Sequence, residues 1–553
     1  MRTARNVILG LVGSLALVGA VGCEQKTNAT THSGSPPPAS TTQGSHQPNV
    51  LLVSIDTLRA DHLSSYGYDR KTSPEIDRLA SEGVVFEQMV SSTSWTLPSH
   101  ASMLTGLSDS VHGVDRNDRY LKPERRTLAE SLREAGYRTA GFYSGPYLHP
   151  IYGMDQGFDD YISCASEPAY SVFDVRDGKR VESPKGSKDR AMPDPQARKA
   201  AAESAHEDIT NPRILDELSK WLGEHGRDEK PFFLFVHMWD VHFDFIPPAP
   251  YNRMWNPGYT GWMDGRGLWK NPRVQKGLAE EDLRQMIALY DGEISWTDHH
   301  VGKILDLIDG LGKRDSTLVV VTGDHGEEFF EHGKFGHHKT IHGEVVNVPL
   351  VMRFPGRIAP GTRSPALARM IDVTPTILDL VGLAPVPCVM GRPLASAVGA
   401  GKAESGMVAV SELVEEGKGR TLSLFTAVRT LDWKLLTERL PGGEVGYIGL
   451  WDLKRDPTEQ VNLVETDGAL KRRAIVTLDA TCKALVEARE CQREMAVAPS
   501  GSQGEVPIEV QRRLRELGYV GDEEEAEEEG PKPSEEEPGE GPSAGEEEAA
   551  GGC

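Results

Sequence analysis

The stretch that decides the fold runs from Ser94 to Gly106 and reads Ser-Trp-Thr-Leu-Pro-Ser-His-Ala-Ser-Met-Leu-Thr-Gly. Pro98 favours the opening of a helix here, because proline is well tolerated in the first helical turn. The N-terminal amides of such a helix can hold an anionic group. Taken alone, the segment predicts only that Thr96 caps a helix. Its interpretation as a nucleophile depends on the rest of the chain.

This layout is similar to the nucleophile turn of the sulfatase and alkaline-phosphatase superfamily, where a nucleophile, one spacer and a Pro open a helix that ends in Thr-Gly. In typical sulfatases the first position is a Cys or Ser that is oxidised to formylglycine, and an Arg follows four residues later. Here Thr96 and His100 occupy these positions. Threonine cannot become formylglycine. The pattern Thr-x-Pro-x-His looks more like the nucleotide pyrophosphatase/phosphodiesterase branch, in which an unmodified Thr attacks phosphorus.

A continuous apolar run, Asn49–Ile55, ends at Asp56 and predicts a buried parallel strand with an acid at its carboxyl end. Further strands are predicted at Thr139–Tyr143, Phe232–His237, Thr317–Thr322 and Val348–Arg353. Helices are predicted between them, at Ser73–Gly83, Thr127–Ala135, Ile214–Gly223, Glu280–Leu311 and Asp372–Gly382. This alternation predicts an α/β domain over residues 49–403, with a mostly parallel sheet flanked by helices.

The pattern changes near residue 404 to short strands, predicted at Val408–Leu413, Leu422–Arg429, Trp433–Leu436 and Ile448–Asp452. The segment Leu450–Leu463 then resembles the C-terminal signature of sulfatases, an aromatic residue followed by Asp-Leu-x-x-Asp-Pro-x-Glu-x-x-Asn-Leu. We therefore expect a smaller C-terminal α+β subdomain over residues 404–520. The resemblance covers roughly residues 48–520.

Two segments match the metal-binding strands of the resembled superfamily. The first is Ile55–Leu63, in which Thr57 stands where many sulfatases have a second acid, and the other is Val321–Glu327. The resemblance implies one divalent ion with a ligand set of Asp56, Asp324, His325 and the Thr96 oxygen. Such mixed oxygen and nitrogen ligation suits Zn, Mn or Mg and is less typical of Ca. The ion would lower the pKa of the Thr96 hydroxyl, which is otherwise protonated at neutral pH.

The predicted strand ending at His237 leads into a segment similar to the family's His-x-x-Asp-x-His element, whose last His contacts the transferring group. We expect His242 to donate to an ester oxygen or to the leaving group. His237 and His100 are expected to contact substrate. A second metal at Asp240 and His242 is an alternative, although the usual Asp-x-x-x-His spacing is absent.

The segment Gly336–Glu344 is similar to the family's Gly-His-Gly-Lys-Thr-Leu-Tyr-Glu-Glu stretch. His337 and Lys339 fall on its ligand-binding positions, so Lys339 would supply positive charge to the ester anion. The other histidines of this region, His332, His338 and His342, are interpreted as structural. Residues 251–270 carry three tryptophans and two tyrosines among glycines, which either stack on a planar ligand or pack the loop onto the domain.

The N-terminus has the features of a targeting segment. Arg2 and Arg5 precede an apolar run that ends in Val21-Gly22-Cys23, which resembles a bacterial lipobox. We predict a signal peptide over residues 1–22, lipidation at Cys23 and a flexible tether over residues 23–48. A plain secretory signal is the alternative. The protein is expected to be exported and lipid-anchored in a bacterial cell envelope, facing the periplasm or on the outer membrane.

Charge and cysteines limit the remaining possibilities. From Gly521 to Cys553 fourteen acids face one Lys, so this segment carries −13 of the chain's net charge of −23. Residues 521–553 are therefore predicted to be a disordered acidic tail. No basic cluster indicates nucleic acid. Export permits a disulfide, and Cys482 with Cys491 is the nearest pair in sequence.

Together these features predict a metal-dependent hydrolase that cleaves a sulfate or phosphate ester through Thr96. The substrate would be a small or glycan-type anionic ester. The chemistry favours phosphorus, because formylglycine hydrate expels sulfate through its second hydroxyl and a sulfated threonine has no such exit. Two alternatives are a phosphoryl-group transferase and a catalytically silent binding protein. The sequence carries no signal for an oligomeric state.

Overall fold

A computed structural model describes residues 47–117, 119–165, 173–176, 179–182, 209–398, 407–417 and 420–495. The predicted signal peptide, Cys23, nearly all of the tether and the acidic tail lie outside these residues, as does 496–520 of the predicted subdomain. Among the helices of the described ranges, none has the length and apolar character needed to cross a membrane.

The central strand of the main sheet is the apolar run that begins at Asn49, and all seven of its residues are buried. The described strands up to residue 369 are β1 (Asn49–Ile55), β2 (Val84–Val90), β3 (Arg138–Tyr143), β4 (Asp160–Ser163), β5 (Phe173–Arg176), β6 (Lys179–Glu182), β7 (Phe232–Met238), β8 (Thr317–Gly323), β9 (Glu328–Phe329), β10 (Phe335–Gly336), β11 (Leu350–Arg353) and β12 (Thr362–Arg369). Ten of them form one sheet in the order β12-β2-β11-β8-β1-β7-β3-β4-β5-β6. The central run from β8 to β4 is parallel, which confirms the predicted fold class.

Helices flank this sheet because each buries an apolar stripe against it. The described α-helices are α1 (Pro74–Ser81), α2 (Thr96–Thr105), α3 (Asp109–His112), α4 (Leu128–Glu134), α5 (Asn211–His225), α6 (Glu280–Gly310), α7 (Gly343–Val346), α8 (Val373–Leu380), α9 (Ala395–Val398) and α10 (Gly468–Met495). Apolar side chains of β1 alternate between two core clusters, one on each face of the sheet. The sheet is therefore covered on both sides, as its continuous apolar strands require.

The C-terminal part forms its own antiparallel sheet, made of β13 (Ala409–Gly417), β14 (Arg420–Arg429), β15 (Trp433–Arg439) and β16 (Val445–Asp452). It joins the main domain through backbone contact, since the Glu412 amide donates to the Ser92 carbonyl at 2.7 Å. The α10 helix packs on β14 and β15. The predicted α+β subdomain is thus confirmed.

The predicted disulfide is wrong. Cys491 pairs with Cys388, with their Cα atoms 5.8 Å apart. Cys482 and Cys491 both lie in α10, and nine residues along a straight helix span about 13 Å, which is too far for a disulfide. Helix geometry therefore excludes the pair that is nearest in sequence.

A buried ion pair links the C-terminal sheet to the loop of the main domain that ends at α7. Lys434 on β15 is 1% exposed, and its Nζ donates to Glu459 at 2.8 Å and to the Ile341 carbonyl at 2.6 Å. The Glu459 carboxylate also lies 2.9 Å from His342 Nδ1. This pair fixes the loop residues that follow Lys339.

Replacing Lys434 with Met should leave the Glu459 carboxylate buried without its cation, which costs on the order of 3–5 kcal/mol. Urea unfolding of Lys434→Met measures this loss. Lys454→Met is the matched control, because Lys454 pairs with Asp432 at an exposed position and such pairs contribute about 0–1 kcal/mol. Equal stability of the two variants would contradict the role given to the buried pair.

Candidate active site

Two carboxylates meet where adjacent parallel strands end. Ile55 of β1 is in register with Gly323 of β8, so Asp56 and Asp324 leave the sheet side by side. Both side chains are fully buried. The carboxyl ends of parallel strands are where α/β proteins place their sites, as the sequence predicted.

Thr96 is the first residue of α2, and this helix points its N-terminus at the two carboxylates. Thr96 Oγ1 lies 3.4 Å from Asp56 Oδ2 and 3.3 Å from His325 Nε2. Every residue of α2 is buried, and Thr96 is 3% exposed. The hydroxyl is therefore held by a rigid element at the positive end of a helix dipole.

The carboxylates need positive charge. Burial raises the pKa of Asp56 to about 6, and burial together with the neighbouring Asp56 raises the pKa of Asp324. Asp56 Oδ1 and Asp324 Oδ2 receive no hydrogen bond from any described residue. His325 Nδ1 donates to the Gly326 carbonyl at 3.0 Å, so its Nε2 carries a lone pair on the side of the carboxylates. Asp56, Asp324 and His325 fit a divalent ion.

Thr57 does not replace the missing acid as a ligand. Its hydroxyl donates to the Val241 carbonyl at 2.8 Å, and its amide donates to Asp324 Oδ1 at 3.1 Å. Thr57 adopts a left-handed conformation, with φ of 51°. The residue orients one carboxylate and ties it to the loop after β7.

His100 lies beside the cluster, 3.6 Å from Asp324 Oδ2 through its Nδ1. That nitrogen donates to the Thr96 carbonyl at 2.8 Å, and Nε2 accepts from the Ser54 hydroxyl at 2.9 Å. Both ring nitrogens are thus engaged, so His100 cannot ligate an ion without losing one of these bonds. Burial lowers the pKa of His100 to about 4, which keeps the ring neutral.

His237 lies within the carboxylate cluster. It stands near the end of β7, and its Nε2 is 3.2 Å from Asp56 Oδ2. The ring is perpendicular to that of His100, with centroids 5.0 Å apart. The structure thus brings both histidines expected at the substrate to the base of the site, next to the carboxylates.

Three further imidazoles form a row, and they belong to the predicted metal ligand His325, the predicted substrate residue His337 and the predicted catalytic residue His242. The ring centroid of His337 lies 4.6 Å from that of His325, and that of His242 lies 4.9 Å from His337. The His242 ring stacks on Trp239 at 3.9 Å, and its Nδ1 donates to the Phe243 carbonyl at 2.5 Å. This row extends the site from the carboxylates towards the loop at 336–340.

Lys339 is exposed and lies at the solvent end of the site, where its Nζ donates to the Phe335 carbonyl at 2.7 Å. Sequence reasoning missed Glu327, whose Oε1 is 3.2 Å from His337 Nδ1. Glu327 is fully buried and orients that imidazole. Its place three residues after Asp324, within the same matched segment, is the signal that could have found it.

Other polar side chains near the site are structural. The carboxylate of Asp240 accepts from the amides of Thr210 and Asn211 and from Trp296 Nε1, which leaves it ill suited to a second metal. His332 and His342 stack on each other at 3.7 Å and bond to Glu344 and Glu459.

The aromatic insertion packs onto α6. Trp262 Nε1 donates to Asp282 at 2.8 Å, and Trp255 Nε1 donates to Ser295 at 3.1 Å. Asp282 and Ser295 both belong to α6. These bonds favour the packing interpretation of residues 251–270 over a stacking surface for a ligand.

Two family profiles match the chain. The profile of the family described as Sulfatase matches residues 48–383, more than half of the chain. The chain belongs to the sulfatase family. A second profile, described as N-sulphoglucosamine sulphohydrolase, C-terminal, matches residues 330–480. The protein is accordingly a sulfatase-family ester hydrolase, and this family generally binds a divalent metal.

The relatives of this sulfatase-family chain differ in chemistry. It is 27% identical over 414 residues to the multifunctional alkaline phosphatase superfamily protein PehA of Trinickia caryophylli, covering 64% of this chain and 77% of PehA. Its fold is similar to a structure solved with its substrate D-glucosamine-2-N,6-O-disulfate, with a TM-score of 0.63, 22% identity and coverage of 80% and 98%. The phosphonate monoester hydrolase of Agrobacterium radiobacter matches with a TM-score of 0.58, 22% identity and coverage of 80% and 96%.

His338 fastens the loop at 336–340 to the segment before Thr96. Its amide donates to the Ser94 carbonyl at 2.9 Å, and its ring stacks on Trp95 with centroids 4.5 Å apart. His338 adopts a left-handed conformation, with φ of 61°. The loop that carries His337 is therefore held directly against the turn that precedes Thr96.

Replacing His338 with Asn should lower kcat/KM for an ester substrate by about 2- to 10-fold, the kinetic equivalent of one lost aromatic contact. Asparagine tolerates the left-handed backbone, so the loss reports on the ring. His225→Asn is the control, because His225 makes a similar contact with Trp221 on α5. A loss of the same size in both variants would show that the His338 stack has no specific role.

Proposed function

We propose that this chain hydrolyses an anionic phosphate or sulfate ester, with Thr96 as the nucleophile and one divalent ion held by Asp56, Asp324 and His325. The observation that carries the proposal is the position of Thr96 Oγ1, within 3.4 Å of both Asp56 Oδ2 and His325 Nε2. A hydroxyl that only capped a helix would not stand among buried groups with unsatisfied charge. The metal contributes one thing when bound: it stabilises the ionised form of the hydroxyl.

The residues around Thr96 divide the remaining work. The N-terminal amides of α2 and the Lys339 ammonium stabilise the negative charge of the ester oxygens. Thr96 Oγ releases its proton to solvent and forms the bond to phosphorus or sulfur as the bond to the leaving oxygen breaks. Because the Phe243 carbonyl holds the Nδ1 proton of His242, this residue acts as the imidazolium and donates its second proton, on Nε2, to the leaving oxygen. Glu327 keeps the His337 ring oriented towards the ester. Water then hydrolyses the ester formed on Thr96 and restores the hydroxyl.

Chemistry favours phosphorus over sulfur as the reacting centre. A phosphothreonine is open to attack by water at phosphorus, whereas a sulfated threonine lacks the second hydroxyl through which formylglycine hydrate eliminates sulfate. The similarity to PehA and to a phosphonate monoester hydrolase supports this preference. The neighbour solved with a disulfated glucosamine supports a glycan-type anionic ester as a second substrate class.

The decisive test compares wild-type kcat/KM on chromogenic substrates that share one leaving group. We expect a phosphodiester or phosphonate monoester to exceed the sulfate monoester. Absence of turnover on every substrate by the metal-loaded protein would instead support a silent binding protein. Faster turnover of the sulfate would contradict the preference for phosphorus.

Thr96→Ala should lower activity by several orders of magnitude, while Thr96→Ser should keep part of it, because serine presents a similar hydroxyl. Thr105→Ala is the matched control, since Thr105 ends the same helix and its hydroxyl bonds to the Ala101 carbonyl at 2.6 Å. Mass spectrometry of enzyme trapped with a slow substrate should find a phosphate on the peptide containing Thr96. Robust hydrolysis by Thr96→Ala would overturn the assignment.

We also propose that the protein is exported and anchored through a lipid on Cys23. The Cys388–Cys491 disulfide supports export, because disulfides persist mainly in oxidising compartments. Cys23→Ala should release the protein from bacterial membranes, since the acyl chains would be its anchor. Fractionation in high salt measures this, with Cys164→Ala as the control. A Cys23→Ala protein that stays in the membrane fraction would contradict the anchor.

A further inference from the structure

On one side of Asp56 the ligand set of the proposed function uses no residue. The proposed ion has two carboxylates, one imidazole and the Thr96 hydroxyl, and the Thr57 hydroxyl is committed to the Val241 carbonyl. The neighbouring strand β7 fills that side. His237 is in register with Ser54 of β1, so the His237 ring enters the site next to Asp56.

We propose that His237 Nε2 is a ligand of the same ion, and this inference rests on the metal site of the proposed function. The separations between donor atoms support it. His237 Nε2 lies 3.2 Å from Asp56 Oδ2, and Asp56 Oδ2 lies 3.4 Å from Thr96 Oγ1. His325 Nε2 lies 3.3 Å from Thr96 Oγ1 and 3.5 Å from Asp324 Oδ2. In a five-coordinate arrangement, neighbouring ligand atoms about 2.0–2.2 Å from one ion are roughly 2.8–3.8 Å apart.

A hydrogen bond from His237 to Asp56 would give the same 3.2 Å distance. In that arrangement the Nε2 proton would point into the cluster of Asp56, Asp324 and His325, where the ion would lie. The proton would repel the cation and occupy a lone pair of Asp56 Oδ2. With the proton on Nδ1 instead, Nε2 joins the ligand set.

His100 provides the internal comparison. It lies as deep as His237, and both approach Asp324 closely enough to share an ion with it. The Thr96 carbonyl and the Ser54 hydroxyl already occupy the two nitrogens of His100. One histidine of the pair is therefore a ligand, while the other fixes the backbone of the nucleophile. The resulting set of two imidazoles and two carboxylates favours Zn²⁺ or Mn²⁺ over Ca²⁺.

The test counts the imidazoles bound to the ion and needs no substrate. The full chain is stripped with chelator and loaded with one equivalent of Mn²⁺, and pulsed EPR resolves couplings to directly bound ¹⁴N. We expect two nitrogens in the wild type and in His100→Gln, and one in His237→Gln. The dissociation constant for Mn²⁺ should rise more than about 100-fold in His237→Gln, beyond the effect of losing an outer-shell contact, and less than that in His100→Gln.

A single bound nitrogen in the wild type, or two in His237→Gln, would overturn the proposal. If the wild type binds Mn²⁺ through one nitrogen, this result alone excludes His237 as a second imidazole ligand, even when a variant does not fold. Loss of one bound nitrogen in His100→Gln, with none lost in His237→Gln, would show that His100 is the ligand and His237 is not. Failure of the wild type to bind any Mn²⁺ or Zn²⁺ would instead remove the metal site of the proposed function itself.

Discussion

The repulsion between two buried carboxylates is the constraint on which the site depends. Asp56 and Asp324 end neighbouring strands of one parallel sheet, and no side chain of Lys or Arg among the described residues pairs with either of them. Burial makes their ionised forms costly, and each raises the cost for the other. The sheet fixes their separation through its core, so the two cannot relax apart. A cation at this point turns a destabilising arrangement into a binding site.

Backbone carbonyls set the chemical state of the surrounding histidines. The Gly326 carbonyl holds the Nδ1 proton of His325, the Phe243 carbonyl that of His242, and the Thr96 carbonyl that of His100. Each bond fixes a tautomer and a ring orientation, so residues of one type acquire different roles. The division of labour among these imidazoles is therefore encoded in the main-chain path around them as much as in their spacing along the chain.

Local patterns predicted the strands and helices that build the centre of the molecule. The apolar run of β1 and the long amphipathic α6 were placed almost to the residue, because burial on both faces and helical periodicity are legible along the chain. The strand β2 was missed, since Glu87 and Gln88 interrupt its apolar run. Gln88 is polar because it meets Arg429 of the C-terminal sheet, a contact that no local pattern reveals.

The sequence predicted which residues form the candidate site better than it predicted how they are arranged. Motif resemblance brought together Thr96, Asp56, Asp324 and His325, and the strand order places them as neighbours. The depth of His237 depends on its register with β1, which only the assembled sheet defines. Glu327 lies within the segment that was matched for Asp324 and His325, but only the assembled structure shows that its carboxylate contacts His337.

The Cys388–Cys491 bond joins two residues 103 positions apart in the chain, and the whole C-terminal sheet lies between them. During synthesis Cys388 emerges well before its partner, at ordinary translation rates by roughly 5–20 s. In that interval its thiol can be captured by any other cysteine of the chain, and Cys482 emerges before Cys491 does. Correct pairing therefore calls on thiol–disulfide exchange after the chain is complete. The yield of correctly disulfide-bonded enzyme from a given host will therefore depend on the compartment in which α10 folds. That compartment must supply both an oxidant and a disulfide isomerase activity.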